Sequence, residues 1–178
     1  CREIAAQGSR CLQEGAARTV YIGGGTPTAL SASDLLAVVA AVRSAFCLTG
    51  EEEFTVEANP GTVDASLLAY LRKAGVNRLS FGVQSFSQPL LRAIGRIHTA
   101  GEAEDAVCMA QKEGFRVSLD LMYGLPQQTL GDLKESVERA AALAVGHISV
   151  YGLAVEEGTP FARMEAEGRL ALPTDDEA

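Results

Sequence analysis

No two cysteines stand close enough together to form a zinc or iron–sulfur ligand set: Cys1, Cys11, Cys47 and Cys108 are far apart in the chain. Taken alone, they read as buried thiols in a reducing compartment. His98 and His147, the only histidines, lack a second ligand at metal spacing and read as structural or surface residues. A basic stripe with interleaved aromatics is missing too. The net charge is −8 and the acids are scattered, which argues against a nucleic-acid partner. No apolar run approaches the roughly 20 residues of a membrane span, and no charged-then-apolar leader opens the chain. The cytoplasm is therefore the default location, with the mitochondrion as the alternative if a targeting segment has been cut away. Nucleophile elbow, P-loop and the spaced glycine fingerprint of dinucleotide sites are all absent.

What is present is a 178-residue chain that is 47% hydrophobic, enough for one sizeable core and one domain over residues 1–178. Runs rich in aliphatic, aromatic or β-branched residues predict strands at 18–22, 53–57, 115–122 and 147–153. A weaker one at 77–83 is interrupted by Gly82. Helical patterns lie between them. Ser31 with Asp34, Thr99 with Glu102 and Thr129 with Asp132 form capping boxes, and Thr62 caps another helix. Gly75, Gly114 and Gly146 stand where helices stop, and a short helical turn is expected from Pro89 to Ile94. Strand and helix thus alternate as in βαβ units with a parallel sheet, either curled into a complete or partial (β/α) barrel or open with helices on both faces. Residues 1–15 resemble the end of a helix from an earlier unit. A chain that begins at Cys1 without Met, and ends on a capping pair, Thr174 and Glu177, with no helix body after it, reads as a fragment.

In a parallel sheet the functional rim lies at the carboxyl ends of the strands. There the first strand delivers Gly23, Gly24, Gly25 and Thr26, and the second delivers Glu57 followed by "ANPG". The others deliver Gln84 and Ser85, then Asp120, then Tyr151 and Ala154. Such a set can form a polar pocket for a small ligand carrying amines and hydroxyls. Each piece also has a plainer role. The glycines could make only a tight connection, Glu57 could be solvated, and Gln84 could satisfy backbone groups. Arg96 could clamp a carboxylate or lie on the surface. Asp120, inside the apolar run "VSLDLM", needs a partner if both faces of its strand are covered.

The motifs "GGGTPT", "EANPGT", "NRLSFGVQSF", "IGRIHT", "DLMYGLPQQT" and "ISVYGL…EEGTPF", in this order and spacing, resemble the oxygen-independent coproporphyrinogen III oxidase-like group of radical S-adenosylmethionine proteins. Within it they are most similar to the HemW branch of heme chaperones. The resemblance covers about residues 18–173. It implies a partial (β/α)6 barrel lacking its first strand, with strands two to six spanning 18–154 and a connecting segment over 155–178. It also implies a pocket for S-adenosylmethionine, with Gly24, Gly25 and Thr26 at the methionyl amino group. Glu57, Gln84, Arg96 (to a carboxylate) and Asp120 (to hydroxyls) would complete it, with the backbone near Ala154 toward the adenine. The family's 4Fe-4S cluster needs a Cys-x-x-x-Cys-x-x-Cys loop, and none of the four cysteines here fits it; the loop would lie upstream of Cys1. Heme or a porphyrinogen, and proteins that receive heme, are the implied partners. Three readings stay open: a heme chaperone, an oxidase that decarboxylates propionate side chains, and a binding domain without the cluster chemistry.

Overall fold

A parallel strand cannot reach its neighbour through a tight turn, so each connection must cross back over the sheet, here through helices. The computed structural model describes residues 1–11, 17–46 and 48–174, with side chains throughout except those of 9–11. Helix α1 (Arg2–Cys11) is followed by β1 (Thr19–Ile22), α2 (Ala32–Ala45), β2 (Glu53–Ala58), α3 (Ala65–Lys73) and β3 (Arg78–Gln84). Then come α4 (Gln88–Ala93), α5 (Ala100–Lys112), β4 (Arg116–Tyr123), α6 (Leu130–Ala142), β5 (His147–Gly152) and α7 (Pro160–Ala166). The five strands lie in the sheet in chain order, every pair parallel. An order that never reverses has no topological switch point. Crossovers of one hand then place the helices on one face, and strand twist curls the sheet into a half-barrel rather than an open doubly wound sheet.

Side chains along each strand alternate between the two faces. Phe54, Val56, Leu79, Phe81, Val83, Val117, Leu119 and Leu121 join the helices' Leu35, Val39, Leu68, Leu71, Ala106 and Val107 in one buried core. The alternate positions are small or polar. Registered rows run Glu57–Ser80–Ser118 and Gly82–Asp120–Ser149 across the concave face. The concave rows are polar without being open: Ser80 and Ser118 are buried, and Asp120 is half-buried beside them. The core lies on the convex side, and Asp120 belongs to a polar concave side.

The helix boundaries follow local chemistry with three exceptions. Thr99 and Thr129 form reciprocal capping boxes, and Gly75 and Gly114 end α3 and α5 with positive φ. Ser31 accepts a bond from the Asp34 amide, but its hydroxyl also donates to the Asp34 carboxylate, so the carboxylate is not seen to return to the Ser31 backbone. Thr62 does not cap α3. Asp64 does, through the Leu67 amide, while Thr62 closes a short turn at Pro60–Thr62 and bonds Thr28. Gly146 is not the stop of α6. Ala144 takes the left-handed turn at φ 51°, and the Gly146 amide instead donates to Val117 and leads into β5. The expected capping pair Thr174 and Glu177 extends beyond the described residues.

Since the sheet is held by its convex face, truncating there should be costly and truncating outside should not. Phe81 is fully buried and Tyr70 on α3 is 55% exposed. Phe81→Ala is expected to lower the unfolding free energy in urea by about 3–5 kcal/mol. Tyr70→Ala should change it by less than about 0.5 kcal/mol.

Candidate functional site

The glycine loop after β1 is tied to β2 by one carboxylate. Glu57 accepts the Gly24 amide at 3.0 Å on one oxygen and the Tyr21 hydroxyl at 2.9 Å on the other. Gly23 permits this approach: a Cβ there would meet the Glu57 carboxylate at 2.6 Å. Gly24 and Gly25 serve a different need. Their φ angles of +88° and +58° are left-handed, and nothing lies within 4 Å of where a Cβ would stand. Glycine is thus required there by conformation, and its bare backbone faces open space. Beyond it, the buried Thr28 accepts the Asn59 amide at 3.2 Å and shares a hydroxyl contact of 2.6 Å with Thr62. The "TPT" and "NPGT" turns are therefore locked together.

Toward the centre, Ser80 donates to Asp120 at 3.3 Å and receives the Ser118 hydroxyl at 3.0 Å. Burial pushes the Asp120 carboxyl above its ordinary value, against the hydroxyls of Ser149 and Ser80, and the Glu57 charge adds to the rise. Partial burial, the bond to Glu57 and that carboxylate's charge push the Tyr21 phenol up to about 12. Tyr21 is therefore a proton donor to Glu57 throughout the physiological range. Arg96 follows α4, where Gly95 at φ +70° and the bond from the Arg96 amide to the Leu91 carbonyl close the helix end. Burial pulls the guanidinium down from its ordinary value, though not enough to discharge it. It forms no ion pair among the described residues.

These elements enclose a cavity of about 330 Å³. Of the positions expected from sequence, Gly25, Thr26, Glu57, Gln84, Arg96 and Asp120 line it, as does Tyr151. Gly24 holds its place through Glu57. Ala154 lies past the end of β5, outside the lining. Asn59, from the "ANPG" stretch, lines the cavity too, and so do Tyr21, Ser80, Gly82 and Met122, which were not expected at the site. Their signal was the alternation along "TVYI", "RLSFG" and "SLDLM", readable only once the concave face is known. His98 is buried behind the rim, and His147 is exposed at the start of β5.

The donor set suits a zwitterionic ligand with hydroxyls: two carboxylates, one guanidinium, two side-chain amides and a bare glycine backbone at one rim. It does not suit an iron–sulfur cluster. Among the described residues, no three His, Cys, Asp or Glu side chains could hold a metal ion. Cys1 is exposed and Cys108 is on α5, away from the cavity lining.

Known proteins share this sequence and fold. The chain is 44% identical over 162 residues to the heme chaperone HemW of Bacillus subtilis, covering 90% of this chain and 43% of that protein. It is 43% identical over 164 residues to HemW of Escherichia coli, covering 89% and 41%. The chain thus spans about two fifths of the length of these relatives. Among solved structures, coproporphyrinogen III oxidase (HemN) from Escherichia coli superposes with a TM-score of 0.84 at 27% identity, over 99% of this chain and 40% of that one. The sequence pattern of the Radical SAM superfamily matches residues 1–140. The chain belongs to the radical SAM superfamily, and within it is HemW-like.

Proposed function

We propose that this half-barrel forms the S-adenosylmethionine pocket of an intact HemW-like protein that handles heme. The observation that carries this reading is the convergence of Gly25, Thr26, Glu57, Gln84, Arg96 and Asp120 on one cavity. When bound, S-adenosylmethionine supplies a reducible sulfonium joined to an ammonium, a carboxylate and a ribose. Glu57 has lone pairs left for the ammonium after accepting Gly24 and Tyr21. Arg96, the unpaired cation of the lining, would take the carboxylate, and bidentate pairing would orient it. Asp120 would accept the ribose hydroxyls and Gln84 would bond a polar edge of the ligand. Nothing among the described residues fits the cluster, so these residues bind and orient rather than transfer electrons. Heme as cargo, proteins that receive it, and a cytoplasmic setting are proposed from the bacterial heme chaperones the chain resembles. A Bos taurus relative named as mitochondrial, 39% identical over 156 residues, supplies the alternative setting.

Removing either carboxylate should cost the ligand a charge-assisted bond. In the full-length protein, Glu57→Ala and Asp120→Ala are each expected to weaken S-adenosylmethionine binding by about tenfold or more, with an unchanged circular dichroism spectrum. Unchanged affinity by calorimetry would remove the assignment.

Asp120 also carries a pH signature. Its folded-state pKa is raised, so its charged form opposes folding at neutral pH, and that penalty fades as pH falls through the folded and then the unfolded value. Asp120→Asn should therefore raise the thermal midpoint at pH 7. The gain should vanish below the unfolded carboxylate pKa of about 3.9.

Chaperone and oxidase differ in product. Incubated with coproporphyrinogen III under anaerobic, reducing conditions, the cluster-reconstituted full-length protein is expected to yield no decarboxylated porphyrinogen and to bind heme in a spectroscopic titration. Decarboxylated product would overturn the chaperone reading.

A further inference from the structure

Gln84 reaches the cavity by an unusual route. Its φ is +69°, and the Ser85 amide donates back across it to the Val83 carbonyl at 2.9 Å. A left-handed residue spanned by an i to i+2 bond is a γ-turn of the rarer hand, strained for a residue with a side chain. The turn coincides with a slip in the β3–β4 register between Gly82 and Gln84. Gly82 clears the way, because a Cβ there would stand 3.0 Å from the Gln84 amide nitrogen.

Something must hold this turn, and a second bond to the same carbonyl is in place. His98 Nε2 lies 3.2 Å from the Val83 oxygen. A carbonyl has only lone pairs to offer, so Nε2 carries the proton. The ring is 1% exposed, and Nδ1 finds no partner among the described residues. An apolar side chain would avoid that unpaired nitrogen, so the Nε2 bond is what the imidazole contributes. The ring's own position is set from both sides: Arg96 lines the cavity two residues earlier, and Thr99 begins the capping box of α5 one residue later. Gly61 of the "NPGT" turn stands against it, with the His98 Cβ 3.7 Å from where a Gly61 Cβ would be.

We propose that His98 is a positioning residue, whose Nε2–H clasps the Val83 carbonyl and holds the strained turn that delivers Gln84 to the cavity. Its effect on ligand binding rests on the S-adenosylmethionine reading; the clasp itself does not. The test uses the full-length, cluster-reconstituted protein with His98→Leu, His98→Asn and His98→Gln. Gln can place an amide nitrogen where Nε2 stood, whereas Asn is too short to reach Val83. Two quantities are read: S-adenosylmethionine affinity by calorimetry, and hydrogen exchange of the Ser85 amide by NMR without ligand.

Leu and Asn should weaken binding by roughly tenfold and speed Ser85 exchange, while Gln stays near wild type in both. In a Gln84→Ala background, His98→Leu should cost no further affinity, a result that a merely structural role would not produce. If Leu does not fold, Asn carries the same comparison. Unchanged Ser85 exchange in Leu and Asn overturns the clasp. Faster exchange with unchanged affinity overturns the positioning role. Wild-type protein that binds no S-adenosylmethionine overturns the pocket reading instead, and the exchange data still decide the clasp.

Discussion

The polar rim exists because the apolar burial that holds the sheet together takes place on its other face. Phe54, Leu79, Phe81, Leu119 and Leu121 are fully buried beneath the helices, and each fully buried side chain of this kind is worth roughly 1.5–3 kcal/mol. That one-sided burial fixes the register of the inner strands β2, β3 and β4, since a slip of one residue would turn the apolar set inward. It also frees the alternate positions. Ser80, Ser118 and Asp120 are tolerated in the middle of a sheet only because the concave side is not asked to supply a dry core.

On that scaffold the loops are bound to one another rather than each to its own strand. Glu57 holds the glycine loop through Gly24 and reaches back to Tyr21 on β1, while Thr28 joins Asn59 and Thr62. The glycine cradle and the acid that would face an ammonium are thus one unit. A change in Glu57 would alter the cradle as well as remove a charge. In the proposed pocket this coupling would present the cradle and the acid to an ammonium as groups that cannot drift independently.

Much of this was legible in the linear sequence where the cause is local. The boxes at Thr99 and Thr129 and the turns at Gly75 and Gly114 involve atoms a few residues apart, and they stand where they were expected. Thr62 misled because two cap-competent residues, Thr62 and Asp64, stand two apart, and a distant hydroxyl, Thr28, engages the first. Gly146 misled because its amide is used by Val117, a partner 29 positions away. The site divides in the same way. Glu57, Gln84 and Asp120 announce themselves as polar residues in apolar runs. Tyr21 and Ser80 do not, since a tyrosine or serine in a strand is ordinary until pairing shows which face it shares.

The sequential strand order also bears on how the chain is made. Each strand from β2 to β5 pairs with the strand just before it, across one crossover of tens of residues, so none of these strands waits for a partner from a distant part of the chain. During synthesis these strands can join the sheet one unit at a time in chain order, with each new helix covering the apolar face of the strands already laid down. The growing edge is then always the youngest strand, and the stretch of exposed backbone at risk of wrong pairing never exceeds one strand's length on that side.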